Sequence, residues 1–164
     1  MKTLYLVRHA KSSWTDTSVS DFDRKLNERG LRDAPEMGKR LHKRVGDVDA
    51  FVSSPAKRAK KTCKLFCKEF GVSESKIIYI DSLYLASPQT FAQVISWFDD
   101  SIKSVAVFSH NPGITDYANS LNPEVIIDNM PTCAIFAVQA DVKHWKEFAD
   151  AEKKFLFFDY PKRL

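Results

Sequence analysis

Short apolar runs recur along this chain, each followed by a segment of helical spacing, and that alternation constrains the fold more than any other feature. Strands are expected near 3–8, 49–53, 76–80 and 104–109, and helices near 27–44, 56–70, 88–98 and 112–121. Such alternation builds a mostly parallel sheet with helices on both faces, a three-layer α/β/α sandwich. Cys133 to Val138 and Phe155 to Phe158 supply two further strands able to close one edge. With 164 residues, 44% of them hydrophobic, the chain can bury one sizeable core, and a single domain over 1–164 is the simplest arrangement.

In α/β folds the chemistry collects where strands leave the core. Leu4-Tyr5-Leu6-Val7 runs straight into Arg8-His9, and Val105-Ala106-Val107-Phe108 runs into Ser109-His110-Asn111-Pro112-Gly113. Two imidazoles therefore converge if the two strands are parallel neighbours. A single histidine at a strand end is more often a hydrogen-bonded structural residue, so the weight lies in the pair. Between them Ala50-Phe51-Val52 leads into Ser53-Ser54-Pro55, with Ser54 expected as N-cap and Pro55 as the first helical residue. Arg58 then falls in the first turn, where the helix dipole disfavours a cation unless an anion sits nearby.

Arg8-His9, Ser53-Ser54-Pro55 with Arg58, and His110-Asn111, in that order, resemble the histidine phosphatase (phosphoglycerate mutase-like) superfamily. The closer resemblance is to its SixA-like phosphohistidine phosphatase branch. It rests on Leu4 to Trp14, Asp21-Phe22-Asp23-Arg24 with Leu26-Asn27-Glu28-Arg29-Gly30, and Asp128 to Cys133. Ala10 and Ser109 stand where the superfamily pattern has Gly, and Ser resists backbone conformations that Gly allows. The resemblance implies a histidine phosphatase fold and a phosphoryl group passed through His9. Arg8, Arg58 and His110, the last as imidazolium, would cradle the equatorial oxygens. Lys11, Ser12 and Asn111 are candidate phosphate contacts, although a surface loop and a helix cap are equally ordinary roles for them. The implied partner is a phosphorylated protein such as a receiver or phosphotransfer domain, or else a small phosphorylated substrate. No cofactor is implied, and His9, His42, His110 and His144 lack metal-ligand spacing.

The leaving group divides the possible reactions. Expelling an alkoxide calls for a general acid, worth about 10²–10⁴-fold, and many ester-cleaving members of the superfamily carry Glu or Asp in the loop after the third strand. Here that loop reads Asp81-Ser82-Leu83-Tyr84-Leu85-Ala86-Ser87-Pro88. If Leu85 holds the acid position, a phosphoramidate such as phosphohistidine is the better substrate; Asp81 could substitute if the loop folds back. Two alternatives stand beside a protein phosphohistidine phosphatase: a small-molecule phosphoester phosphatase, and a non-catalytic module that binds phosphorylated partners.

Composition narrows the classes further. The three cysteines cannot all pair, Cys63 and Cys67 lie four apart on one helix, and no signal segment precedes Lys2-Thr3-Leu4, so reduced thiols in a cytoplasm are expected. No apolar run is long enough for a membrane span. Much of the formal charge of +4 sits in Lys57, Arg58, Lys60, Lys61, Lys64 and Lys68. Ala59, Cys63, Phe66 and Phe70 interleave at helical spacing, so these lysines read as the solvated face of an amphipathic helix, and no nucleic-acid or membrane partner is expected. Among the aromatics, Trp97 and Phe98 are expected in the core. Trp14, in the polar loop from Lys11 to Lys25, is a better candidate to flank a ligand, and Tyr84 could also do so.

Overall fold

A computed structural model describes residues 1–163. Its centre is a six-stranded sheet in the order β3-β2-β4-β1-β5-β6. Strands β1 (Lys2–Arg8), β2 (Ala50–Ser53), β3 (Ile78–Tyr79) and β4 (Ser104–Ser109) run parallel. Strands β5 (Ile135–Ala140) and β6 (Lys154–Asp159) close one edge antiparallel. Helices α1 (Glu28–Val45) and α2 (Lys57–Phe70) cover one face, and α3 (Pro88–Ser96) and α4 (Gly113–Leu121) the other. The expected three layers are therefore present.

Side-chain alternation along the central strands builds the two cores. Leu4 and Leu6 pack with Val105 and Val107 beneath Phe91, Ile95 and Ile114 of α3 and α4. Tyr5 and Val7 turn the other way, with Phe51 and Phe108, against Met37 and Leu41 of α1 and Cys63 and Phe66 of α2. Both faces of β1 and β4 are dry, which is why these strands read as unbroken hydrophobe.

Several boundaries differ from expectation for identifiable reasons. The third strand is only two residues long, because Ile80 already bonds back to Ser53 and a 3-10 turn occupies Asp81–Leu83. Ser54 is not an N-cap: its N–H continues the ladder to the Phe108 carbonyl, and α2 starts at Lys57 after Ala56. Arg58 still lies in the first turn. The fifth strand starts two residues later than expected, because Cys133 is in the left-handed region (φ 63°). Trp97 is 67% exposed and caps the end of α3, so it is not a core residue; Phe98 packs edge-on against Trp145. The cysteines at 63, 67 and 133 are buried free thiols. Among the described residues no helix is long and apolar enough to cross a membrane.

Candidate active site

The register of the sheet assembles the site. Arg8 lies opposite Ser109 on the neighbouring parallel strand, so His9 and His110 leave the sheet side by side, with ring centroids 5.3 Å apart. Ser53 pairs with Phe108, which brings the start of α2 and Arg58 to the same edge. A cavity of about 230 Å³ opens there, and all seven candidate residues, Arg8, His9, Lys11, Ser12, Arg58, His110 and Asn111, line it. Larger clefts beside Asn122 and Lys153 (780 Å³) and beside Asp47 and Lys76 (580 Å³) contain none of these residues.

His9 is held as a neutral base. Its Nδ1 donates to the Ala10 carbonyl at 2.7 Å, while the Arg58 Nε–H donates to Nε2 at 3.3 Å. Those partners fix the tautomer and put the nucleophile's lone pair on Nε2, where the Arg58 N–H must give way before it can attack. Burial, opposed by the Ala10 carbonyl and reinforced by His110, Arg58 and Arg8, takes its pKa down to about 2. The loop carrying it is pinned from two sides. Thr62 Oγ1 accepts the Ala10 N–H (3.0 Å) and donates to the Arg58 carbonyl (2.7 Å), and the Cys133 N–H reaches the carbonyls of both Arg8 and His9.

His110 differs from the expected imidazolium. Burial together with Arg58 lowers its pKa to about 3, and the opposing pull of Asp21 is too weak to reverse this, so it is neutral here. Its Nε2 shares a 2.7 Å hydrogen bond with Ser54 Oγ, and its buried Nδ1 has no partner, nor has Arg8 Nε. Buried polar atoms without partners are uncommon, and here both belong to residues lining one cavity. Ser109 fits without backbone strain: its Oγ donates to the Leu83 carbonyl at 2.6 Å, tying the loop after β3 to the end of β4.

The electrostatic balance is strongly cationic, with Arg8, Lys11, Arg24 and Arg58 facing one carboxylate, Asp21. Asp21 Oδ2 accepts from Arg58 (3.0 Å) and from the Tyr84 hydroxyl (2.5 Å), and Oδ1 accepts from Arg24 (3.1 Å). Its partial burial would raise the pKa, but Tyr84, Arg58 and Arg24 prevail and hold it at about 2. The anion that Arg58 requires in the first turn of α2 is thus supplied by the protein's own Asp21. Asp21 and Arg24 belong to a segment that carries the SixA-like resemblance, but neither is among the candidate site residues. A further local signal is Ser20-x-x-Asp23, a capping pattern that fixes the 3-10 turn Asp21–Asp23.

Arg24 is buried beneath Trp14, its guanidinium 3.5 Å from the ring, and donates to Ser12 Oγ at 2.5 Å. Ser12 therefore anchors an arginine while lining the cavity. The Asn111 amide is similarly engaged, donating to Asn129 and Met130 and accepting from Thr115, and it does not cap α4. Leu85, at φ 51°, lines the cavity where an acid was sought, whereas Asp81 is exposed and outside the lining. Tyr84 meets the His110 ring edge-on at 5.4 Å. Among the described residues, no group of three or more His, Cys, Asp or Glu side chains is gathered as a metal site.

Comparison with known proteins agrees with this architecture. The pattern of the histidine phosphatase superfamily (branch 1) matches residues 4–83. A protein of Mycobacterium tuberculosis is 31% identical over 150 residues, spanning 86% of this chain and 90% of its own. The solved SixA protein of Agrobacterium tumefaciens, assigned as a phosphohistidine phosphatase, superposes with a TM-score of 0.81 at 26% identity, covering 98% of both chains. The mycobacterial glucosyl-3-phosphoglycerate phosphatase shares the fold at 14% identity and a TM-score of 0.66, covering 98% of this chain and 100% of its own. With its strand exits gathered at one sheet edge and a relative matched along nearly its whole length, the chain belongs to the histidine phosphatase superfamily.

Proposed function

We propose that this phosphatase removes phosphoryl groups from phosphohistidine on a protein, with His9 as the transient phosphoryl acceptor. His9 Nε2 attacks phosphorus as the substrate P–N bond breaks, and the leaving imidazole departs neutral if its other nitrogen was protonated beforehand. The phosphorylated His9 is then cationic, and its Nδ1–H remains on the Ala10 carbonyl. Water attacks the same phosphorus, the His9–P bond breaks, and inorganic phosphate leaves. Arg8, Arg58 and His110 surround the equatorial oxygens, with Lys11 at the rim. As phosphate neutralises the nearby arginines, His110 becomes easier to protonate and can donate to the transferring group.

The observation that carries this reading is that, among the described residues, no protonated carboxyl group lines the cavity. Asp21 is ionised, with its pKa held at about 2, and Leu85 occupies the wall where an acid was sought. A leaving alkoxide would find no carboxylic acid there, whereas an imidazole leaving group brings its own proton. Cavity size argues in the same direction: 230 Å³ lies below the range of about 300–1,000 Å³ that encloses a small-molecule ligand, so a phosphoryl group reaching in from a larger body suits it better. A cytoplasmic setting suits the three buried free thiols.

The test is phosphate release from a phosphohistidine protein and from an alkyl phosphate, side by side, in wild type and His9→Ala. We expect at least a hundredfold preference for phosphohistidine in kcat/KM, on the scale of a missing general acid, and its loss in His9→Ala. Preference for the alkyl phosphate would mean a small-molecule phosphoester phosphatase. Binding of phosphate without release from either substrate would mean a non-catalytic module.

A further inference from the structure

A second concavity lies beside the active site. Lys25, Lys57, Lys60, Lys61 and Lys64 surround it, its volume is 530 Å³, and no acidic residue lines it. Leu31, 46% exposed, contributes an apolar patch to the same wall. Among the described residues, Lys25, Lys60, Lys61 and Lys64 pair with no carboxylate, and Lys57 has only a loose contact with Asp23 at 3.9 Å. Lys25 and Lys57 are the chain neighbours of Arg24 and Arg58, so the groove borders the phosphate cavity through two consecutive pairs of basic residues.

From this geometry we infer that the groove is the docking surface for an acidic protein helix presenting the phosphorylated residue to His9, a proposal that rests on the phosphohistidine reading above. Lys57, Lys60, Lys61 and Lys64 repeat at three- and four-residue intervals along α2, about one turn or 5.4 Å apart. Carboxylates one turn apart on a facing helix match that spacing, and the exposed Leu31 in the groove lining offers an apolar anchor beside the charged contact. Nucleic acid fits less well, because no aromatic side chain lines the groove to stack a base. Opposite charge on the two surfaces raises the encounter rate and aligns the phosphorylated side chain with the cavity, an effect that salt suppresses.

The experiment compares two phosphohistidine peptides of equal length, one with an amphipathic acidic helix beside the phosphorylated residue and one with a neutral helix there. We expect wild type to prefer the acidic peptide by roughly tenfold in kcat/KM at low salt. In Lys60→Glu/Lys61→Glu/Lys64→Glu the ratio should fall to about one or below, with p-nitrophenyl phosphate turnover unchanged. Fluorescence anisotropy with the unphosphorylated acidic peptide reads docking separately from chemistry. Binding by wild type and not by the triple variant supports the groove even if phosphohistidine proves to be the wrong substrate. Equal use of the two peptides, equal binding by wild type and variant, or tighter binding of a short single-stranded oligonucleotide than of the peptide would overturn it.

Discussion

His9 and His110 illustrate how position converts an ordinary side chain into a reagent. Each is buried beside arginines, and each is neutral at a pH where an exposed histidine would begin to charge. The consequence for stability follows from proton counts. Below the unfolded pKa of about 6.5 the unfolded chain takes up protons that the folded chain refuses until its own pKa, about 2 for His9 and about 3 for His110. Stability contributed by these two residues is therefore complete above pH ~6.5 and is lost as pH falls through the window between the two states. Asp21 acts in a separate window, below its unfolded pKa, and does not interfere at pH 5. Urea denaturation at pH 7 and pH 5 should show His110→Asn losing less stability than wild type over that interval, by roughly 1–2 kcal/mol. An identical pH slope in the two proteins would contradict the neutral, buried state of His110. Both histidines were legible in the sequence as polar residues ending apolar runs. Their charge was not, because it depends first on burial and then on neighbours such as Arg58, 49 residues after His9 and brought close only by the strand order.

At the scale of elements, the site is a set of loop ends held at close approach. Gly113 opens α4 directly against the loop that carries Tyr84 and Leu85, and a Cβ built on it would stand 1.7 Å from the Ala86 carbonyl oxygen. Gly30 plays the matching part for the Lys11 loop, where a Cβ would meet the Lys11 carbonyl oxygen at 2.2 Å. Neither contact can be relieved by rotating a side chain, since the obstacle is backbone. Gly113→Ala should destabilise the fold by roughly 1–3 kcal/mol, the range of overpacking, and should also reduce turnover because the displaced loop carries Tyr84 away from Asp21 and His110. A variant with wild-type Tm and wild-type kcat would show that the loop yields freely. The elements were readable from periodicity and turn chemistry; the length of the third strand, expected over 76–80 and formed by Ile78–Tyr79 alone, was not, because two residues held by β2 leave little pattern to read. Asp21 stood in a segment carrying the family resemblance, yet its place at the site was not legible for a related reason: it lies in a polar loop whose path over the cavity is set by Arg24, Ser12 and Trp14 rather than by any repeat.

Across the whole molecule, the cost of the site shows as concentrated positive charge. Four cations line a cavity of about 230 Å³ with one carboxylate among them, so the fold carries repulsion that only an anion relieves. Arg8 is the clearest instance. Its Nε is buried without a partner, and the Met130 carbonyl that accepts from its Nη1 at 2.9 Å also accepts from Asn111 at 3.2 Å. Replacing the guanidinium with an apolar chain of similar length would remove a desolvated charge without orphaning that carbonyl. Arg8→Met should therefore be at least as stable as wild type in the absence of ligand, while losing most of its activity. The two proteins should separate again when inorganic phosphate is added. Wild type gains about 2.7 kcal/mol at a hundred times Kd, because only the folded state binds the anion, and the variant gains far less at the same concentration. Thermal melts with and without phosphate read both effects at once. An Arg8→Met protein that melts well below ligand-free wild type would mean that Arg8 is a structural residue, and one that keeps the full phosphate shift would take Arg8 out of the cradle. The opposition between stability and phosphate binding is what a site preorganised for the anionic oxygens of a transferring phosphoryl group requires: its cations must already be in place, and mutually repelling, before the substrate arrives.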